Sequence, residues 1–186
     1  MKKLNREEKL EGLIHSTMEK VGMDLELRKV TTGVNMSYDF IKNYIGIDVT
    51  RVQTALKEMP LEVSLEVYIQ SLTLHELGHA MDRKALLESL PRTIEFYVMK
   101  KANSLYEQYS QINLWAMRIE EHEMNIIFEE TAWTNAEWLN KQFSLVDWKS
   151  FEQIKIHSLS TYHELYERDL KLYHKLLSLP IEQTAS

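Results

Sequence analysis

The 186-residue chain, 44% hydrophobic and 27% charged, is long enough for a single domain with a substantial core. Its net charge of −6 argues against nucleic acid as a partner, because phosphate backbones are gripped by clustered Lys and Arg. No apolar run reaches the length of a membrane span, and the absence of cysteine rules out both a disulfide framework and a thiolate metal site.

The opening residues, Met1-Lys2-Lys3-Leu4-Asn5-Arg6-Glu7-Glu8-Lys9, lack the apolar centre of a secretion signal, so a cytoplasmic protein without a membrane partner is expected. Apolar side chains then recur at the helical period, at Leu4, Leu10, Leu13, Ile14, Met18 and Val21. They predict a helix over 4–21 with Gly22 as its stop. From Met23 the period falls to two. Met23, Leu25 and Leu27 form one alternating set. Val34, Met36, Tyr38 and Phe40 follow the turn residues Thr31-Thr32-Gly33, and Ile45, Ile47 and Val49 follow Lys42-Asn43. Half-buried strands joined by short turns predict a three-stranded antiparallel meander.

Everything beyond is helical in pattern. A short helix is expected over 51–58, halted by Pro60. Ser64 is a fair N-cap for a helix running to about Leu90 and stopped by Pro91. Residues 92–110 predict another, with Ile94, Tyr97, Val98, Lys101, Leu105 and Tyr109 on or near one stripe. A long helix over about 113–143 and two shorter ones near 147–158 and 161–178 complete the chain. With no repeat and no linker, the expectation is one mostly helical α+β domain over 1–186.

The chemistry gathers in Thr73-Leu74-His75-Glu76-Leu77-Gly78-His79-Ala80-Met81-Asp82. Residues four apart on a helix share a face, so His75 and His79 reach one metal ion together, with Glu76 beside them. A catalytic zinc site takes three protein ligands and leaves one position for water. Glu76 is then free to act as the proton-transferring base, as in the H-E-x-x-H motif. Leu65, Ile69, Leu72, Leu77 and Ala80 make the helix apolar nearly all round, hence buried, and buried histidines need partners.

A third ligand has to come from elsewhere, and the stretch from Arg118 to Trp133 is the richest source. At helical spacing Glu129 shares a face with His122, Ile126, Ala132, Ala136 and Leu139, and the small alanines permit close approach to the motif helix. Glu130 is the second choice. His122 is an alternative ligand or a donor to the oxyanion formed when water attacks a carbonyl. Asp82, one turn past His79, is placed to orient a ligand ring. The near-repeat His163-Glu164-Leu165-Tyr166-Glu167 reads as coincidence, although Tyr162, His163 and Tyr166 are within reach of a cleft.

These segments resemble the zincin metallopeptidases, which place a small sheet before the H-E-x-x-H helix and draw a third ligand from a later helix. The extended motif with a further Gly and His is missing, because Ala80-Met81-Asp82-Arg83-Lys84 follows His79; a glutamate-type zincin is implied. His75-Glu76-Leu77-Gly78-His79-Ala80-Met81-Asp82 and Glu129-Glu130-Thr131-Ala132 are similar to the corresponding segments of the lethal-factor catalytic domain of anthrax. The ImmA/IrrE-type peptidases share H-E-L-G-H with a shorter gap to E-x-x-A. A tyrosine carried by that family ahead of the ligand glutamate has no counterpart here, and His122 stands near its place. The resemblance implies a zinc-dependent endopeptidase, with a peptide or protein substrate added to one edge of the sheet. The expected roles are Zn²⁺ on His75, His79 and Glu129, with Glu76 and His122 in catalysis. The alternative is a metal-binding regulatory domain of the same fold.

Overall fold

A computed structural model describes residues 6–60 and 62–178. In chain order the described residues form α1 (Arg6–Val21), β1 (Glu26–Lys29), β2 (Met36–Asp39), β3 (Tyr44–Ile47) and α2 (Val49–Glu58). There follow α3 (Leu65–Met81), α4 (Arg83–Ala102), α5 (Leu105–Ser110), α6 (Ile112–Phe143) and α7 (Trp148–Leu177). The α+β expectation holds. The expected start of the first helix, at Leu4 and Asn5, lies outside the described residues; its end does not, and Gly22 closes it at φ +70°, a conformation glycine adopts without strain.

The sheet departs from the meander. Its order is β1-β3-β2, with β3 antiparallel to β2 but parallel to β1, so the sheet is mixed. Turn residues signal a reversal of direction without saying whether the next strand pairs with its predecessor or leaves a place between them. Burial decides the order. Ile45, Gly46 and Ile47 are all buried and take the centre, whereas β1 is exposed or half-buried throughout and takes an outer edge. The 30–35 crossing is tied to the far end of β3, since Val30 N–H donates to the Ile47 carbonyl (3.0 Å) and Gly33 N–H to Asp48 Oδ2 (3.1 Å). Asp48 also caps α2 by accepting from Arg51 N–H (3.0 Å).

The helical boundaries differ too. Ser64 caps α3 as expected, its hydroxyl accepting from Val67 N–H at 3.2 Å. The helix ends at Asp82 rather than near Leu90, because the Arg83 side chain is drawn to the Phe40 and Ile41 carbonyls after β2 (2.9 and 3.3 Å) and the chain turns there. Pro91 lies inside α4 and stops nothing. The expected 92–110 helix is split by Ser104, whose capping box with Glu107 starts α5 afresh. Its apolar stripe is not buried: Ile94, Tyr97, Val98 and Leu105 are exposed, and α4 buries Leu86, Phe96 and Met99 instead. The two terminal helices are one. Ser160 and Thr161 hydroxyls fold back onto the His157 and Ser158 carbonyls (2.9 and 2.8 Å), so the polar run at 158–161 sits within α7.

The centre of the molecule is the contact between α3 and α6. Tyr68, Ile69, Leu72, Leu74 and Leu77 of α3 share one cluster with Leu10, Ile14 and Met18 of α1, with Met36, Ile45 and Ile47 of the sheet, and with Trp133, Ala136 and Leu139 of α6. At Gly78 the helices touch backbone to backbone. A Cβ placed there would lie 2.1 Å from the Ala132 carbonyl oxygen, and Asn135 Nδ2 donates to the Gly78 carbonyl at 3.0 Å. Asn140 then folds the chain back. Its amide donates to the Val146 carbonyl (2.9 Å) and accepts from Leu145 and Val146 N–H, setting α7 antiparallel to α6.

Gly78→Ala forces two helix backbones apart and is expected to destabilise the metal-free protein by about 1–3 kcal/mol. The lowered midpoint of urea unfolding measures it, and an unchanged midpoint contradicts the close approach.

Candidate metal centre

His75 and His79 leave successive turns of α3 on its α6-facing side, and Glu129 meets them one turn before the Gly78–Ala132 contact. His75 Nε2 is 3.1 Å from Glu129 Oε2, and His79 Nε2 is 3.5 Å from Glu129 Oε1. The three donors lie within 4.8 Å of one another. Donors held about 2.0–2.1 Å from a tetrahedral zinc are roughly 3.3–3.4 Å apart, so the two measured separations fit that cage. The fit extends to environment. His75 is buried and Glu129 is 14% exposed, which suits a closed side and one open approach.

The neighbours fix these side chains. Trp133 stacks on the His75 ring with centroids 4.4 Å apart and planes at 29°. The second ring nitrogen, His75 Nδ1, is buried without a hydrogen-bond partner, leaving Nε2 as the atom committed to the shared point. Asp82, considered for orienting a ring, acts on His79 through charge alone, being among the carboxylates that favour its protonated form. Burial is the largest influence on His79 and acts downward; the Glu129 bond and the Glu76, Glu129 and Asp82 charges outweigh it and push the ring up. Burial likewise opposes the charge on Glu129, yet its bonds to both rings hold the carboxyl well below the usual range.

Glu76 is 4% exposed and points to the sheet side of the same group. Burial pushes its carboxyl up, partly offset by the two imidazoles, and the Tyr38 amide of β2 faces it. Tyr162 on α7 completes the ring of groups. Its phenol is pushed up by burial and by the adjacent Glu129 and Glu76 carboxylates, and its hydroxyl is directed at Glu129.

These side chains line a cleft of about 640 Å³, within the range of small-ligand sites. One wall is the outer edge of β2 from Asn35 to Tyr38; α2 contributes Arg51 and Glu58, and α7 contributes Ile154, His157, Ser158 and Tyr162. In the β2–β3 ladder the bonds Asp48 N–H to Asn35 O and Asn43 N–H to Asp39 O mark the odd residues as the paired ones. The backbone groups of Met36 and Tyr38 therefore face away from β3 on the cleft side. The other edge, β1, does not reach the cleft.

The remaining candidates fall elsewhere. Glu130 is 52% exposed and pairs with His163 at 3.3 Å on the surface, which removes both from the centre. Tyr166 is spent on Glu123 (2.9 Å). His122, expected to donate to an oxyanion, does not line the cleft. Its Nε2 is 3.1 Å from Asp169 Oδ2 in a separate buried network, because one heptad separates it from Glu129 along α6. His157, unsupported by any sequence pattern, lines the cleft.

Set beside protein-family models, curated proteins and solved structures, the chain matches none.

Glu129→Ala is expected to remove stable zinc binding, while Glu130→Ala retains about one equivalent per chain. Elemental analysis after zinc loading and gel filtration separates the two; full retention by Glu129→Ala rejects the assignment.

Proposed function

We propose that the protein is a zinc-dependent peptidase of the glutamate-type zincin kind. One observation carries the reading: two imidazoles and a distant carboxylate converge at 3.1 and 3.5 Å, with a buried, unpaired-by-cation Glu76 next to them, on the floor of a cleft walled by a free strand edge. Two nitrogen donors and one oxygen donor suit zinc better than the oxygen-seeking magnesium or calcium. An exposed pair of surface histidines would support none of this.

A zinc ion held by His75, His79 and Glu129 supplies Lewis acidity, making water a better nucleophile and a carbonyl a better electrophile. An extended peptide added along β2 bonds to the outward backbone groups of Met36 and to the Tyr38 carbonyl, the Tyr38 N–H being turned to Glu76; this pairing carries the scissile bond past that carboxylate. The Glu76 carboxylate takes the proton of the attacking water and returns it to the leaving amine. Burial raises its proton affinity, the direction that favours its accepting that proton. Tyr162, protonated at neutral pH, donates to the carbonyl oxygen as negative charge develops there. It takes the place first given to His122. Among the described residues no helix is long and apolar enough to cross a membrane.

Glu76→Gln is expected to keep its zinc and lose cleavage, and Tyr162→Phe to lower kcat by about 10²–10³ with little change in KM. Mass spectrometry of a diverse peptide library incubated with zinc-loaded protein reads both. A library left whole by the unmutated protein, at full zinc occupancy, overturns the peptidase reading in favour of a binding domain.

A further inference from the structure

Side chains pair across the antiparallel α6 and α7 in steady register. From one end to the other these are Glu137 with Lys155, Glu130 with His163, Glu129 facing Tyr162, Glu123 with Tyr166, His122 with Asp169, and Trp115 beside Tyr173. Glu129 lies seven residues beyond His122 on α6, and Asp169 lies seven beyond Tyr162 on α7. The catalytic pair and the His122–Asp169 pair thus occupy one stripe, two turns apart.

Two of these pairs, Glu130 with His163 and Glu123 with Tyr166, are at the surface, and the others are half-buried or buried. Asp169 is 1% exposed, and the buried residues of α7 are Phe151, Ile154 and Asp169. Phe151 and Ile154 hold the helix before the cleft, within the apolar core. Beyond Tyr162, Asp169 is the one buried attachment of α7 among the described residues. Its Oδ2 accepts from the Tyr109 hydroxyl of α5 at 3.0 Å and lies 3.1 Å from His122 Nε2 of α6. Oδ1 accepts from Arg168 (3.0 and 3.1 Å), and the Arg118 guanidinium lies 3.9 Å from Oδ2 while donating to Gln108 and to the Tyr109 oxygen. A buried carboxylate is a costly way to join helices, and apolar side chains would do so at least as stably. What it adds is direction. Apolar contacts tolerate sliding, but moving α7 by a fraction of a turn breaks bonds to two other helices at once.

We propose that Asp169, held by Tyr109, His122 and Arg118, is a positioning residue that sets the register of α7 on α6 and so places the Tyr162 hydroxyl beside Glu129. Its kinetic consequence rests on the peptidase reading; its structural consequence does not. Asp169→Leu removes the charge, and Tyr109→Phe is the milder variant, deleting one donor and leaving the others.

The chain has no cysteine, so nitroxides can be carried on cysteines introduced at exposed Ile127 and Glu164, level with Tyr162. A reference pair at Lys141 and Lys149 reports on the end held by the α6–α7 turn. Electron paramagnetic resonance is expected to show the first pair shifted or broadened in Asp169→Leu, less so in Tyr109→Phe, with the reference pair unchanged and zinc stoichiometry intact. In turnover, Asp169→Leu is expected to lower kcat about 10- to 100-fold with KM held within about twofold, and to cost nothing further in a Tyr162→Phe background. An unchanged Ile127–Glu164 distance in both variants overturns the proposal whether or not the protein cleaves peptides. So does a loss of kcat that simply multiplies with that of Tyr162→Phe. If no peptide is cleaved by the unmutated protein, the peptidase reading falls and the resonance measurement alone decides the register.

Discussion

The molecule depends on the contact between Gly78 and Ala132, where two helix backbones meet with no side chain between them. The geometry of the His75, His79 and Glu129 group follows from it. His75 lies one turn before the glycine and His79 directly after it, and Glu129 sits one turn before the alanine, so the backbones that touch also bring the three side chains together. A wider spacing between α3 and α6 would leave the glutamate short of the rings, whatever the motif. Leu77, Trp133 and Ala136, all essentially inaccessible to solvent, keep the helices pressed together around that point.

Local signals in the sequence reached the His75, His79 and Glu129 group because its members lie on long helices of unmistakable period. Phase along such a helix fixes the face, and Ala132 with Ala136 announced the close approach. The sheet was less legible. Alternation in residues 34–47 identified β2 and β3, but strand order depends on which strand is buried on both sides. Nothing in the turn Thr31-Thr32-Gly33 encodes that. The boundary at Asp82 was hidden for a related reason: it is set by Arg83 reaching carbonyls more than forty residues earlier.

Tyr162 illustrates how one misplaced boundary conceals a site. Ile154, Ser158, Thr161 and Tyr162 share a face of α7, but only if the helix is continuous through the polar run at 158–161. Dividing it there erases the phase relation and leaves nothing to separate Tyr162 from His163 and Tyr166 as a cleft residue. His122 presents the converse case. It does share a stripe with Glu129, as helical geometry requires. Two turns along the axis is about 10 Å, however, and at that distance the same stripe meets Asp169 instead of the cleft.

The members of the candidate metal group are also far apart along the chain: Glu129 lies 54 positions after His75, and Tyr162 a further 33. No fragment ending before α6 holds three of them, and none ending before α7 has its fourth wall. If this group holds an ion as proposed, ion capture would report completion of the whole tertiary assembly, and by mass action a bound ion would strengthen that assembly in return. On the reading proposed above, a nascent or partly melted chain carrying an intact His75–His79 segment would lack the assembled site, and the proposed chemistry would be confined to molecules that have finished folding.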